Sequence, residues 1–292
     1  MRLPHAVYSL TNRLRELLIT LKLMLPYWPG TTRVSPVPGV VIGMTSYPAR
    51  ITSAWKAVET LLRQDVSGIP VILVLAEEEF PEQIIPRRLQ AQMKRGLQVL
   101  WTTRNGRSFD KLLPIRQAFP SATIVTVDDD KYFPRTLMSE LLKAHRVHPG
   151  HIIGARGWRA LPDDETGQVS FRTGWVRSQP GDAGYGLHVP GGNGCLYPPD
   201  SLDPVVDDLD LAVELCPTTD DIWFWAAAHL KKTPTYCLGM PPHRPIGSQK
   251  DTPALSDVNH QREQDQFHRV LQHFDLPTEN LVWKPQEKRT TQ

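Results

Sequence analysis

The chain has 292 residues, of which 40% are hydrophobic and 22% charged, and its formal net charge is +2. This length suffices for one large domain or two small ones, and a charge so near zero gives no indication of a nucleic-acid partner. The three cysteines, Cys195, Cys216 and Cys237, are far apart and form no CxxC motif, which predicts a reduced, cytoplasmic protein without a structural zinc site.

Residues 9–25 carry leucines near helical spacing, with Arg13, Arg15 and Lys22 among them. The charges interrupt the apolar run too often for a membrane span, and no small-residue cleavage site of an export signal follows. We expect an amphipathic helix that lies either on the domain's own surface or on an anionic membrane surface. Residues 1–38 are interpreted as this helix and a linker, and residues 39–292 as a single domain.

From Gly39 onwards, apolar runs alternate with helical patterns. The runs predict strands at residues 40–48, 69–76, 97–103, 122–127 and 151–160. The helical patterns cover residues 50–64, 135–150 and 265–274, with a broken helix at 81–96 and a short helix at 109–120. This alternation predicts an α/β fold with a mostly parallel sheet covered on both faces. Beyond residue 160 the sequence predicts a β-rich insertion or a long loop. Ligands of such sheets bind outside the carboxyl ends of the strands.

Three consecutive aspartates, Asp128, Asp129 and Asp130, follow the predicted strand 122–127. Two like charges about 4 Å apart repel by about 4 kcal/mol at an effective dielectric constant of about 20. Solvation, a basic partner or a bound cation has to offset this repulsion, and a solvated turn or helix cap is the simplest explanation of such a cluster. Asp128 and Asp130 suit Mg²⁺ or Mn²⁺, bound through carboxylates plus substrate phosphates. Asp129 either contacts a ribose or sugar hydroxyl or points away.

The aspartates form a D-x-D pattern, and the chain resembles the GT-A-fold glycosyltransferases that build bacterial capsule and lipopolysaccharide. The resemblance is carried by five segments in order, TSYPARI (45–51), SFDKLLP (108–114), IVTVDDDKYFP (124–134), GGNGCLYPP (191–199) and TTDDIWFW (218–225). It implies a Rossmann-like sheet, with a nucleotide-sugar half at 39–135 and an irregular, β-containing acceptor half at 136–292.

The resemblance also implies an activity. A sugar would pass from a nucleoside diphosphate sugar, by default a UDP-sugar, to a hydroxyl of a glycan or lipid-linked glycan. Mn²⁺ or Mg²⁺ would be the cofactor. The implied location is cytoplasmic, with peripheral contact at the inner membrane surface.

In the resembling enzymes the loop after the first strand holds the nucleotide. The resemblance therefore implies nucleotide contacts from Thr45, from Tyr47 by stacking on a base or ribose, and from Arg50 on phosphate. It further implies that Asp110 contacts the base or ribose and that Lys111 contacts the nucleotide or its phosphates. A packed aromatic ring and ordinary surface charges are the alternative interpretation.

The later segments imply contacts with the acceptor. Gly192 would let the backbone approach a sugar, Asn193 offers donor and acceptor groups, and Trp223 supplies core and a sugar-stacking face. Asp220 and Asp221 stand where such enzymes carry the general base. Asp221 is favoured as the base of an inverting reaction, with Asp220 as its neighbour or an acceptor contact. A glycine-rich turn and acids that favour a helix N-terminus are the alternatives.

The third metal ligand is expected from the C-terminal part. His243 and His260 are the candidates and His243 is preferred, although each also suits a structural or exposed role. Two other functions remain open. A sugar-phosphate nucleotidyltransferase usually carries a glycine-rich phosphate loop after the first strand, which GMTSYPARI lacks. A non-catalytic carbohydrate-binding or assembly protein has no need of either acidic motif.

Overall fold

The computed structural model describes residues 5–25, 38–162, 167, 169–171, 174–247, 260–276, 279 and 281–283. Its α-helices are α1 (His5–Met24), α2 (Ile51–Leu62), α3 (Arg87–Met93), α4 (Leu113–Ala118), α5 (Leu137–Val147), α6 (Leu209–Leu215), α7 (Asp220–Leu230) and α8 (His260–His273). Short 3₁₀ helices lie at Arg107–Lys111 and Pro204–Asp207. The predicted linker at 31–39 lies outside the described residues except for Pro38 and Gly39.

Thirteen strands are found in the described part of the chain. They are β1 (Val40–Thr45), β2 (Val71–Ala76), β3 (Leu97–Thr102), β4 (Thr123–Val127), β5 (Lys131–Tyr132), β6 (Ile152–Gly154), β7 (Trp158–Arg159), β8 (Val176–Arg177), β9 (Ala183–Gly184), β10 (Leu187–His188), β11 (Asn193–Tyr197), β12 (Thr235–Cys237) and β13 (Arg244–Pro245).

Eight strands form one central sheet in the order β3-β2-β1-β4-β11-β6-β12-β9. The first four run parallel to one another, as do β6 and β12, whereas β11 is antiparallel to both β4 and β6. A three-stranded sheet, β10-β7-β8, comes from residues after 150, and a two-stranded sheet pairs β13 with β5, which follows the aspartates. This arrangement confirms the predicted α/β class with a mostly parallel central sheet.

The apolar runs become strands because both of their faces are buried. Every residue of β2 and of β4 is buried, as expected for parallel strands covered on two sides. One core lies on the face that includes Phe109, Trp223 and Phe267. The other core lies on the face covered by α2 and α5, around Met44 and Leu141. Polar residues therefore follow these strands only where the chain leaves the core, at the carboxyl end of the strand.

Three helical predictions were too long. Of the broken helix predicted at 81–96 only α3 is helical, because Pro86 disfavours helical geometry at the residue before it. The predicted helix 109–120 divides into a 3₁₀ turn and α4, which has a proline in its first turn. The predicted helix 135–150 is likewise shorter, because α5 ends at Val147.

The predicted strand 151–160 divides into β6 and β7. Among the residues that the structure describes between 161 and 192, the strands are two residues long, in keeping with the expected irregular insertion. No helix among the described residues is both long enough and apolar enough to cross a membrane. The three cysteines are buried and form no disulfide.

Candidate functional site

Asp128 lies between two lysines at the carboxyl end of β4. Lys111 Nζ lies 2.7 Å from Asp128 Oδ1, and Lys131 Nζ contacts Asp128 Oδ2. Burial alone would raise the pKa of Asp128, but the two ammonium groups hold that pKa well below its usual range. Asp128 is therefore an ionised carboxylate whose charge is balanced by basic side chains.

Asp129 and Asp130 share a single arginine. Arg50 Nη1 lies 3.1 Å from Asp129 Oδ1 and 3.0 Å from Asp130 Oδ2. Asp129 is buried, and Ser46 Oγ donates a 2.5 Å hydrogen bond to it. Burial raises the pKa of the Asp129 carboxyl, although Ser46 and Arg50 act in the opposite direction. Asp129 thus fastens the loop after β1, including Arg50, to the end of β4.

Lys111 also joins the aspartates to the first turn of α7. Its Nζ lies 3.1 Å from Asp220 Oδ2 as well as against Asp128. Burial raises the pKa of Asp220 to about 6. Burial would lower the pKa of Lys111, but the carboxylates of Asp128, Asp220 and Asp221 together raise it. We call these side chains the strand-end cluster: Arg50, Lys111, Asp128, Asp129, Asp130, Lys131 and Asp220.

Two glycines allow the elements around Lys111 and Asp128 to approach each other. A Cβ atom at Gly43 in β1 would lie 2.3 Å from the Lys111 carbonyl oxygen. A Cβ atom at Gly192 would lie 1.8 Å from Asp128 Oδ2. The backbone confirms the second approach, because Asp128 N–H donates to Gly192 O at 3.2 Å. Only glycine leaves room for the carboxylate against the 191–193 loop.

The 191–193 loop meets the aspartates because β11 runs antiparallel to β4. Asn193, the first residue of β11, pairs with Val127, the last residue of β4. Asp221 reaches the same loop from α7, where its Oδ1 accepts a 2.9 Å hydrogen bond from Gly191 N–H. The structure therefore brings Gly192, Asn193 and Asp221 to the strand-end cluster.

The expected nucleotide contacts lie in different environments. Tyr47 is 37% exposed, and the Arg50 guanidinium lies 5.5 Å from its ring centre. Thr45 Oγ1 donates to the Val74 carbonyl oxygen at 3.0 Å, so this hydroxyl serves the sheet. Asp110 is buried and accepts the Gly106 N–H at 3.1 Å. Burial raises the pKa of Asp110 to about 7.

Trp223 is placed in the core and not at the cluster. Its side chain is 1% exposed, and its Nε1–H donates to the Val206 carbonyl oxygen at 3.0 Å. A ring this buried offers no face on which a sugar can stack. Of the two roles considered for Trp223, the structure therefore supports the core role.

His243 lies beside the cluster through the pairing of β13 with β5. Its Nε2 is 2.7 Å from the Asn193 carbonyl oxygen, and its ring packs against Phe133 at 5.3 Å. Burial lowers the pKa of His243, which favours a neutral imidazole. With Nε2 directed at a carbonyl oxygen, Nδ1 is the nitrogen left to coordinate a metal ion. The side chain of His260 lies outside the described residues.

The donor set suits a hard divalent cation held jointly with substrate phosphates. Asp130 Oδ1 is buried without a hydrogen-bond donor, and the nearest ammonium, that of Lys131, is 3.9 Å away. Within the described ranges, no three His, Cys, Asp or Glu side chains are grouped to hold a metal ion by themselves. Mg²⁺ commonly needs only one or two carboxylates plus phosphate oxygens. Asp130 Oδ1 is open to that mode, whereas both carboxylate oxygens of Asp128 contact lysine ammonium groups.

Sequence reasoning overlooked Ser46 and Lys131. Ser46 stands between two residues assigned to the nucleotide, and Lys131 follows the aspartates directly. Adjacency to the acidic run was a usable signal for Lys131, because an i,i+3 ammonium can reach Asp128. No comparable signal identified Ser46, whose partner is 83 residues away.

Comparisons with family models and with curated proteins gave no match. Among solved structures, the chain is similar to a 4-diphosphocytidyl-2C-methyl-D-erythritol synthase, with 14% identity, a TM-score of 0.45 and coverage of 74% of this chain and 96% of that one. A CMP:2-keto-3-deoxy-manno-octonic acid synthetase complexed with CTP has 12% identity, a TM-score of 0.41 and coverage of 81% and 99%. An apo UDP-glucose pyrophosphorylase has 6% identity, a TM-score of 0.43 and coverage of 83% and 98%.

These three proteins are named as a synthase, a synthetase and a pyrophosphorylase, and none of the three is named as a glycosyltransferase. Their names therefore agree better with the nucleotidyltransferase alternative than with glycosyl transfer. Likenesses this remote carry no argument about what this chain does.

Proposed function

We propose that the chain is a metal-dependent transferase that acts on a nucleoside diphosphate sugar and passes the sugar to a hydroxyl of a glycan or lipid-linked glycan. The observation that carries the proposal is the meeting of Asp128, Lys111 and Asp220 at one sheet edge, with Asp221 beside them. These residues come from three separate segments. Carboxylates and cations at the carboxyl ends of parallel strands occupy the position at which such sheets bind ligands.

The donor would bind through the basic side chains of the cluster. Arg50, Lys111 and Lys131 converge on the aspartates and offer N–H donors to a diphosphate. Tyr47 is exposed beside Arg50 and can stack on a base or ribose. Asp128 and Asp130 would hold Mg²⁺ or Mn²⁺ together with phosphate oxygens of the donor, since His243 is not grouped with them as a third ligand. Such an ion neutralises the charge that develops on a leaving diphosphate.

Asp221 is the proposed general base. Gly191 N–H orients its carboxylate at 2.9 Å, and the loop that carries Gly191 is the proposed acceptor side. Asp221 would take the proton of the acceptor hydroxyl while that oxygen bonds to the anomeric carbon and the bond to the diphosphate breaks, which inverts the configuration. Asp220, held by Lys111, would position the turn. We place the activity in bacterial surface polysaccharide synthesis, on the strength of the sequence resemblance.

Nucleotidyl transfer is the second candidate. The convergence of three basic side chains on one sheet edge also suits a triphosphate substrate. The loop after β1, TSYPAR, has no glycine run with which to cradle phosphates, and this difference places glycosyl transfer first.

Product analysis separates the candidates. Purified protein is incubated with Mn²⁺ or Mg²⁺ and either a panel of nucleoside diphosphate sugars or a nucleoside triphosphate with sugar phosphates. Metal-dependent release of nucleoside diphosphate supports glycosyl transfer, whereas pyrophosphate supports nucleotidyl transfer. If neither product forms, the protein is non-catalytic and the proposal is overturned.

Two variants link the product to the cluster. Asp128→Asn with Asp130→Asn should abolish metal-dependent release of nucleoside diphosphate. The matched control is Asp200→Asn, because Asp200 is exposed and its φ of +59° is one that asparagine tolerates. Activity that survives in the double variant would refute the metal assignment.

A further inference from the structure

Helix α1 carries its apolar stripe on the outside of the molecule. Six large apolar side chains are each 50–63% exposed, namely Leu14, Leu17, Leu18, Leu21, Met24 and Leu25. At 100° per residue they form one continuous face of the helix, which we call the leucine face. Amphipathic helices normally bury such a stripe against the core. An exposed apolar patch of this kind marks an interaction surface.

The opposite face of α1 is fixed to the domain, partly by polar contacts. Glu16, Ile19, Thr20 and Leu23 follow an i, i+3, i+4, i+7 pattern and are half-buried. Glu16 Oε1 accepts hydrogen bonds from Lys56 Nζ at 2.8 Å and from the Tyr132 hydroxyl at 2.6 Å. Although burial would raise the pKa of Glu16, these two donors lower it. The charged Glu16 therefore holds the helix with its leucine face outwards.

The C-terminal end of α1 is anchored as well. Arg63 donates hydrogen bonds to the carbonyl oxygens of Leu23 at 2.6 Å, Leu25 at 3.0 Å and Lys22 at 3.3 Å. A guanidinium group here satisfies terminal carbonyl groups that a helix leaves unpaired. Because both the middle and the end of α1 are held, the leucine face has a fixed orientation relative to the domain.

The charges on α1 indicate what covers the leucine face. Arg15 and Lys22 are exposed and lie along one edge of that face. The single acidic residue of the helix, Glu16, points inwards, so α1 itself places no acidic side chain beside the leucines. An apolar stripe beside basic residues fits the interface of an anionic membrane. In a second copy, α1 would offer the same basic edge and no acid to pair with it.

We propose that α1 lies in the plane of an anionic membrane, with the leucine face among the acyl chains and with Arg15 and Lys22 at the headgroups. Glu16 contacts Tyr132, which stands two residues after Asp130. The membrane-bound helix would thus hold the strand-end cluster close to the bilayer. If the proposed function holds, the acceptor would then be a molecule embedded in that membrane. This last consequence rests on the proposed function.

Vesicle co-sedimentation of the full chain tests the proposal without any substrate, so its failure would leave the nucleotide-sugar assignment untouched. Vesicles of phosphatidylcholine alone are compared with vesicles containing one third phosphatidylglycerol. Wild type should sediment with the anionic vesicles, less so in high salt. Leu17→Ser with Leu21→Ser should weaken binding by roughly tenfold or more. Arg15→Gln with Lys22→Gln should remove the preference for anionic lipid.

The matched control is Val147→Ser with Val213→Ser, two exposed valines on other helices, which should bind vesicles like wild type. Thermal melts show whether each variant is folded. Equal binding by the leucine variant and wild type would overturn the proposal, and so would a wild type that stays in the supernatant. If wild type does not bind vesicles but forms a dimer, and the leucine variant is monomeric, the leucine face pairs two copies and the membrane proposal is overturned. Equal binding to neutral vesicles would overturn the anionic requirement.

Discussion

Lys111 Nζ lies 2.7 Å from Asp128 Oδ1, and the same ammonium group is 3.1 Å from Asp220. Lys111 is therefore the link between the aspartates after β4 and the acidic first turn of α7. Its side chain is only 6% exposed. Little water can therefore reach this position to solvate the two carboxylates if the ammonium group is removed. The repulsion expected between adjacent aspartates is offset here by Lys111, Lys131 and Arg50.

Replacing Lys111 by methionine should destabilise the fold. The change leaves Asp128 and Asp220 without their shared cation, and breaking a largely buried ion pair costs roughly 2–4 kcal/mol. Urea unfolding at neutral pH measures the loss. Lys143→Met, on the exposed surface of α5, should change the free energy of unfolding by no more than about 0.5 kcal/mol. An equally small change in Lys111→Met would contradict the bridging role.

Gly192→Ala should damage the cluster more than the fold. The new Cβ would lie 1.8 Å from Asp128 Oδ2, so either the carboxylate or the 191–193 loop must move. We expect the metal-dependent increase in melting temperature caused by a bound nucleoside diphosphate sugar to disappear. Gly150→Ala is the control, because a Cβ there has no atom within 4 Å. An undiminished thermal shift in Gly192→Ala would separate this loop from donor binding.

Asp110→Asn should stabilise the protein at high pH. Burial raises the folded-state pKa of Asp110 from 3.8 to about 7, so the folded state binds more protons than the unfolded state between these values. Stability from this group is complete below pH 4 and is lost as the pH rises to about 7. The variant should gain on the order of 3 kcal/mol at pH 8 and almost nothing at pH 4. Chemical denaturation at both pH values, with Asp200→Asn alongside, checks this difference, and an equal gain at both would exclude the titration of Asp110 as its cause.

Asp221→Asn should lower kcat by about 10²- to 10⁴-fold while donor binding stays as in wild type, because loss of a general base affects proton transfer and not the diphosphate site. Nucleoside diphosphate release in the presence of acceptor measures kcat, and the thermal shift measures donor binding. Asp220→Asn should instead weaken both, since it removes a partner of Lys111. If Asp221→Asn turned over at the wild-type rate, the base would have to be another residue.

The α/β class and the strands β1, β2, β3 and β4 could be predicted from local pattern, because apolar runs of this length, rich in β-branched residues and bounded by turn residues, favour buried strands. Local pattern also placed the aspartates at the end of β4, since an abrupt change from apolar to acidic residues marks the point where a chain leaves the core. These signals are local and depend on residues within one turn or one strand of each other.

The contacts of the aspartates, by contrast, depend on the three-dimensional fold. Ser46 and Arg50 reach Asp129 across 83 and 79 residues of chain, and pairing at such separations depends on sheet order and not on local pattern. The orientation of α1 was decided in the same way. Its period predicted an amphipathic helix, but the contact between Glu16 and Tyr132, 116 residues apart, turned the leucines towards solvent. Periodicity identifies the two faces of a helix, whereas the partners supplied by the rest of the fold determine which face is buried.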